Sequence, residues 1–458
     1  MKIRSWLGAW VLLVGLGWTP VSAGEPAPAA MQPPPANAGD APPAAMEVSS
    51  SPLTLADLES LALQHNPTLV QARMAVEAAQ GRLVQAGLYP NPTAGYAADD
   101  LGDLGTAGKQ GGFVLQEIVI GKKLRLSRAV AGHEVEEAES ACRAQQWRVL
   151  NDVRAGFYDV LLAQRAVELE EQLVRIGDEF VKTAEQLFKA KESSRVDLLQ
   201  AGIEADAARL KLFNSRNRHW AVWRRLVIAV GVPEKPPCPL LGEVDKDLPN
   251  LAWDESLARV LSQSPELARA RVGVERARCV VAREYAQRIP NVEVRAGVQH
   301  DNAVNQTLAN VEVGLPLPLF NRNQGNICRA HAELVAAQSE VHRVELELHE
   351  RLVGAFQHYA DARHQVDVYS RSILPKAKSS LDLVASGYRQ GELGYLVLLT
   401  AQRTYANVNL AYLESLRELR NNSVAIEGLL LRGALQTPGA QPMEATSSPW
   451  SPSIGMKD

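Results

Sequence analysis

The chain is written twice. Asn66-Pro67-Thr68-Leu69 is answered by Ser264-Pro265-Glu266-Leu267, and Pro90-Asn91 by Pro290-Asn291. Phe188-Lys189 is answered by Tyr388-Arg389, and Val196-Asp197-Leu198-Leu199-Gln200-Ala201 by Leu396-Val397-Leu398-Leu399-Thr400-Ala401. The offset stays at about 200 residues throughout, the mark of an internal duplication. Pro233, Pro236, Pro237, Pro239 and Pro249 crowd the boundary between the copies. They divide the chain into a first repeat, 52–232, a linker, 233–248, and a second repeat, 249–435.

Both repeats follow one plan. A helix comes first, over Leu55–Leu88 and Asp254–Arg288, with Thr54 and Asp254 placed to cap it and Pro90 and Pro290 to stop it. Two short β-like segments joined by a polar turn follow. A very long helical stretch then runs over 126–190 and 325–390. Its apolar residues Val149, Val153, Phe157, Val160 and Val167 recur at helical spacing. A break at Ser193-Ser194, or at Gly391 and Gly394, leads into a last helix of about 36 residues. A helix of about 66 residues spans roughly 100 Å, and the two shorter helices of a repeat placed end to end match it. Such lengths suit the wall of a tube or a long coiled coil rather than a compact domain. Pro375 predicts a kink in the second long stretch that the first, with Arg175 at that place, lacks.

The β-like segments lie at 92–101, 111–120, 291–300 and 308–317. In the third, Val292, Val294, Ala296 and Val298 alternate with Glu293, Arg295, Gly297 and Gln299. In the fourth, Val311, Val313, Leu315 and Leu317 alternate with Asn310, Glu312 and Gly314. Alternation over about ten residues is the pattern of a membrane-spanning strand, apolar toward lipid and polar toward a wet lumen. In the second, Phe113, Leu115 and Val119 alternate, but Val114, Ile118 and Ile120 blur the pattern. Four strands cannot close a barrel, and an open edge in lipid leaves backbone groups unpaired. Closure therefore demands several chains, and the strand count alone does not choose between two and three.

The N-terminus fits export. Lys2 and Arg4 precede an apolar run over 7–17, and Val21-Ser22-Ala23 offers a cleavage site, so 1–23 reads as a signal peptide. The Pro- and Ala-rich stretch 24–51 reads as a flexible linker, and 436–458 as a similar tail. The four cysteines are too sparse for a disulfide scaffold. A net charge of −4 gives no reason to expect a nucleic-acid partner. No P-loop, Gly-x-Ser-x-Gly or zinc-finger spacing occurs, so neither an enzyme nor a cofactor is expected. Of the nine histidines, His331, His342, His349, His358 and His364 fall on the second long stretch. They read as a solvated helix face ahead of a metal relay.

This plan, over about 52–435, resembles the TolC-type outer-membrane efflux family. Gly314-Leu315-Pro316-Leu317-Pro318-Leu319-Phe320-Asn321 is similar to that family's strand-to-helix exit. Tyr388-Arg389-Gln390-Gly391-Glu392 followed by Leu398-Leu399 is similar to its periplasmic helix turn. Gln116-Glu117-Ile118, Gly121-Lys122-Lys123 and Arg125 resemble the cobalt–zinc–cadmium (CzcC-type) group within it. The resemblance implies a mainly α-helical protein with a membrane β-barrel: a homotrimer with a 12-stranded barrel and a 12-helix periplasmic α-barrel. It implies a passive exit duct in the outer membrane. Substrate, divalent heavy-metal cations among the candidates, would arrive from an inner-membrane proton-driven transporter through a periplasmic adaptor.

On this reading the functional surfaces are the two helix turns and the wet face of the strands. Phe188, Lys189, Arg195 and Asp197 form one turn, and Tyr388, Arg389, Gly391, Glu392 and Gly394 the other, at the periplasmic entrance where the adaptor docks. Asp197 and Glu392 are the acids that symmetry would multiply into a cation-attracting ring. Glu293, Arg295, Gln299 and Glu312 face the barrel lumen. The first turn, Lys189–Ser194, lacks the glycine of the second, which leaves its geometry open. A periplasmic adaptor and a coiled-coil structural protein are the alternatives. An adaptor would carry more strands around a single helical hairpin, and a coiled coil gives no reason for the alternating strands.

Overall fold

The computed structural model describes residues 52–436 except 103, 104 and 106. The expected signal peptide, the linker 24–51 and 437–458 lie outside the described residues. Two runs of elements follow one another in the same order. The first is α1 (Leu55–His65), α2 (Pro67–Ala86), β1 (Thr93–Asp99), β2 (Lys109–Ile118), α3 (Lys123–Lys189) and α4 (Arg195–Val230). The second is α5 (Trp253–Gln263), α6 (Pro265–Ala286), β3 (Val292–Asp301), β4 (Gln306–Gly314), α7 (Gln324–Val368), α8 (Leu374–Arg389) and α9 (Tyr395–Glu427).

The single opening helix expected in each repeat is two. Asn66 and Ser264 have extended backbone and cap the helices that follow, with Pro67 and Pro265 in the first turn. Proline there sacrifices no hydrogen bond, because the first N–H groups of a helix have no partner within it. Asn66 Oδ1 accepts from the Thr68 N–H at 2.9 Å, while its Nδ2 donates to the Ala229 carbonyl 2.8 Å away. Thr54 caps α1 through a reciprocal bond with Asp57, as expected of it. Asp254 does not cap α5: it lies inside the helix, and Ala252 occupies the cap.

The 67-residue α3 is unbroken. Its rise of about 100 Å makes it the spine of the molecule. Val149, Val153, Phe157 and Val160 are buried, and Val167 is half-buried. In the second repeat the corresponding stretch is divided by a five-residue π-helical turn, Tyr369–Ile373, just ahead of Pro375 in α8. Proline removes one helical donor and crowds the preceding turn, and the widened π turn absorbs both effects.

Near the strands the helices stand in the order α2, α3, α6, α7; toward the turns the order is α4, α3, α9, α8. The main core joins α1, α3, α4, α7 and α9 to the 233–248 linker around Phe157, Trp223, Leu352 and Leu416. Polar groups tie the helix breaks to this core. Gln145 Nε2 donates to Thr68 Oγ1 (2.8 Å) and to the Ala434 carbonyl (3.0 Å). At the matching place in the second repeat, Glu266 receives Arg148 at 3.1 Å and Arg351 at 2.5 Å. No helix among the described residues is long and apolar enough to cross a membrane.

The four strands form one antiparallel sheet in the order β1-β2-β3-β4. The ladder on β4 ends at Gly314, short of the expected 317. Pro316 and Pro318 have no N–H to give, so the extended chain beyond Gly314 cannot continue it.

Candidate functional site: the sheet faces and the helix turns

Register decides what each face of the sheet carries, because residues directly opposite on neighbouring strands share a face. Leu115, Arg295 and Glu312 stand in one row; Phe113, Gly297 and Asn310 in the next; Gly111, Gln299 and Leu308 in a third. Glu117, Glu293 and Gly314 complete this charged face toward the helices. The four expected lumen residues, Glu293, Arg295, Gln299 and Glu312, therefore share one side. The opposite side carries Val114, Ala296 and Val311; Tyr96, Val298 and Ala309; and Gln116, Val294 and Val313. That face is apolar but for Gln116 and the far end, where Gln110, His300 and Thr307 line up.

Phe113 and Leu115 lie on the charged side, which is why β2 alternates poorly by itself. The Phe113 ring covers Gly95, where an added Cβ would come within 2.5 Å of Phe113 Cζ; at Gly297 an added Cβ would meet Asn310 Oδ1 at 2.7 Å and Phe113 Cβ at 3.2 Å. The Arg295 guanidinium sits 4.0 Å from the ring centroid, a cation–π stack that holds it flat against the sheet. Glu117 accepts from Asn291 Nδ2 at 2.6 Å, and Asn291 Oδ1 accepts from Lys123 Nζ at 2.6 Å. Strand and long helix are thereby joined at the foot of the sheet.

At the far end of α3 the two helix turns lie side by side, with Glu192 Oε2 of the first next to Gly391 of the second. Their backbones match. The Lys191 N–H donates to the Phe188 carbonyl (3.0 Å) and the Glu192 N–H to the Leu187 carbonyl (2.9 Å). In the other turn Gly391 donates to Tyr388 (3.1 Å) and Glu392 to Gly387 (2.9 Å). Both are Schellman closures, which need a left-handed residue just past the helix. Gly391 takes it at φ 75°, and Lys191 takes it at φ 60° without the freedom of glycine. The missing glycine thus leaves the turn geometry unchanged and adds strain.

The expected turn residues have different environments. Lys189, Arg195, Arg389, Gly391, Glu392 and Gly394 are exposed, as is Phe188. Tyr388 is buried, only 2% exposed, and meets the buried Tyr395 edge-on at 5.9 Å. It supports the second turn from beneath and does not belong to its surface. Burial, then the Asp197 charge, raises the Tyr388 hydroxyl; burial chiefly, with Glu204 adding, pushes Tyr395 up to about 12. Asp197 itself closes a capping box, its Oδ2 accepting from the Ser194 N–H (3.1 Å) and Oγ (2.9 Å). At the α9 start Gly394 stands in place of Ser194 and Val397 in place of Asp197, so neither side chain of the box is present. Sequence reasoning missed Tyr395, Glu192 and the Arg403–Glu204 bridge of 2.8 Å from α9 to α4. The repeat offset, which sets Arg403 about 200 residues after Glu204, was the available signal.

Among the described residues no three of His, Cys, Asp and Glu converge as metal ligands. Of the α7 histidines, His331 meets the Tyr285 hydroxyl at 3.2 Å, and His342 lies 3.8 Å from Glu345.

The family described as "Outer membrane efflux protein" matches residues 58–232 and 257–430, one segment in each repeat. The cobalt-zinc-cadmium resistance protein CzcC of Cupriavidus metallidurans is 26% identical over 388 residues, covering 84% of this chain and 91% of that one. The outer-membrane channel OprN superposes with a TM-score of 0.71 at 19% identity, over 83% of this chain and 90% of its own. CusC, solved in a study of folding and transmembrane channel formation, superposes at 0.69 with 18% identity, over 83% and 92%. A family of efflux ducts accounts for both a sheet with one apolar and one charged face and a helical layer as long as the roughly 100 Å of α3. The chain belongs to the outer membrane efflux protein family, and is an outer-membrane exit duct reaching into the periplasm.

Proposed function

We propose that three copies of this chain close into one channel that releases heavy-metal cations, handed over by a periplasmic adaptor and an inner-membrane transporter. The observation that carries this reading is that the open edges fall on matching flanks. One flank presents the unpaired edge of β1 with α2 and α4; the other presents the edge of β4 with α7 and α8. On the first flank Val196, Leu199, Ile203, Leu210, Phe213 and Trp220 are exposed along α4 at spacings of three, four and seven. On the second, Val335, Leu346 and Val353 are exposed along α7. Such stripes are seams awaiting a second helix. Seating flank on flank is a head-to-tail contact, which closes into a ring when the rotation allows. Three copies supply the 12 strands typical of the family, and closure removes every open edge from lipid.

In that ring the apolar face of the sheet meets lipid and the face with Glu293, Arg295, Gln299 and Glu312 lines the lumen. Per chain, Glu117, Glu293 and Glu312 outnumber Arg295 there, and symmetry multiplies the excess. The two turns form the periplasmic mouth, with Lys189, Arg195, Arg389 and Glu392 available to an adaptor. Glu392 is the acid free to attract cations, whereas Asp197 is engaged in its cap. Metal cations as cargo rest on the likeness to the resistance protein named above. No tight site is called for in a duct, where binding that holds an ion also slows its passage. Planar-bilayer recording tests the reading: the wild type should conduct with cation preference, and Glu392→Lys should lower that preference. A wild type that forms no conducting pore would refute the duct, and an unchanged preference in Glu392→Lys would remove the role of that residue.

A further inference from the structure

The segment 315–323 between β4 and α7 has no counterpart of equal length in the first repeat, where 119–122 makes the same connection. It carries an apolar series on alternate residues, Leu315, Leu317 and Leu319, that prolongs Val311 and Val313 of β4 beyond the ladder. None of these is covered: Leu317 is 70% exposed and the adjoining Phe320 91%. Beside the segment, at the end of α6, a crevice is lined by Tyr285, Arg288, Ile289, Pro318 and Arg322. Glu284, the nearest acid in sequence, is already engaged by Arg283 (3.0 Å) and by Asn323 Nδ2 (2.9 Å). Arg288 and Arg322 form no ion pair among the described residues, and both are exposed.

We infer that this crevice binds the phosphate of a membrane phospholipid, one per chain, with the acyl chains laid along Leu315, Leu317 and Phe320. Three features select a lipid over a free anion. The apolar row is continuous with the sheet face that carries Val294 and Val313, so a chain lying on one passes onto the other. Two unpaired guanidinium groups at the foot of that row offer planar forks that match phosphate oxygens. Tyr285, its hydroxyl held by His331, and Phe320 are aromatic side chains at the level where such rings sit between hydrocarbon and headgroup. The site occurs only in the second repeat, because only there is the connection long enough to leave the sheet before the helix starts. This rests on the outward assignment of the Val294 face, which has its own test in Val294→Arg.

The experiment is native mass spectrometry of the full-length protein in detergent, titrated with phosphatidylglycerol. The wild type should retain one lipid per chain. R288Q/R322Q should bind it roughly thirty-fold more weakly, by the usual contribution of each basic residue at an anionic surface. K122Q/R125Q, which removes the same charge from the exit of the first repeat, should bind as the wild type does, and millimolar inorganic phosphate should not displace the lipid. Equal weakening in both variants would overturn the inference in favour of general basic attraction. Displacement by phosphate would overturn it in favour of a free-anion site. Loss of lipid together with dissociation of the assembly would assign the crevice to a contact between copies. R288Q/R322Q should conduct like the wild type, so a failed lipid site leaves the duct standing.

Discussion

Lys191 and Gly391 hold one backbone position with two residue types, and the difference is measurable. A side chain in the left-handed region costs about 1 kcal/mol that glycine does not. Lys191→Gly should therefore stabilise the protein by up to about 1 kcal/mol, and Gly391→Ala should destabilise it by a similar amount. Denaturant midpoints of the detergent-solubilised variants check both. A second residue-scale prediction concerns acid. The hydrogen bond from Arg403 is the main reason the Glu204 carboxyl lies below its ordinary value of 4.5. Its folded-state pKa is depressed, so its contribution is present at neutral pH and is lost as pH falls through that lowered value. Amide protection factors near the turns, taken relative to intrinsic exchange at each pH, should fall on acidification in the wild type and change less in Glu204→Gln. An identical acid response would show that the bridge does not secure this end. At this scale motif and spacing located the turns. The burial of Tyr388 was not legible, because it is set by Tyr395 and Leu398, which reach it only through the fold.

Among elements, register carries the argument. Val294 and Arg295 are neighbours in sequence and lie on opposite faces. On the proposed orientation Val294→Arg would place a charge against lipid and should cost about 2 kcal/mol, whereas Arg295→Ala should be mild. Membrane-inserted yield of the two variants measures this, and equal effects would sink the face assignment. A second element-scale test addresses the join between α3, α6 and α7. Glu266→Ala leaves Arg148, whose side chain is 5% exposed, without its counter-charge. It should cost about 3 kcal/mol in thermal or denaturant unfolding, against little for the exposed Glu234→Ala. The long helices and β3 were legible because their periods run unbroken over many residues. The break at Asn66-Pro67 was not, since proline in a first helical turn fits the helix after it and reads as part of one longer helix. The faces of β2 were hidden for another reason: Phe113 and Leu115 are apolar residues on the charged side, and only pairing with β1 and β3 reveals that Phe113 covers Gly95 and carries Arg295.

For the whole molecule, the duplication explains why one chain can build a repeating wall and yet cannot close it. Both repeats place a hairpin at one end and a helix turn at the other. The sheet and the helical layer are left open on the same two flanks. That much follows from sequence pattern together with the requirement that no strand edge face lipid. The number of copies does not follow, because eight and twelve strands both make barrels; three comes from likeness to the family. The most direct measurement is single-particle electron microscopy of the detergent-purified protein. The expected result is a threefold cylinder, with a detergent belt around a short barrel and about 100 Å of helical tunnel below it. A monomer with open flanks, or a ring of any other symmetry, would contradict it.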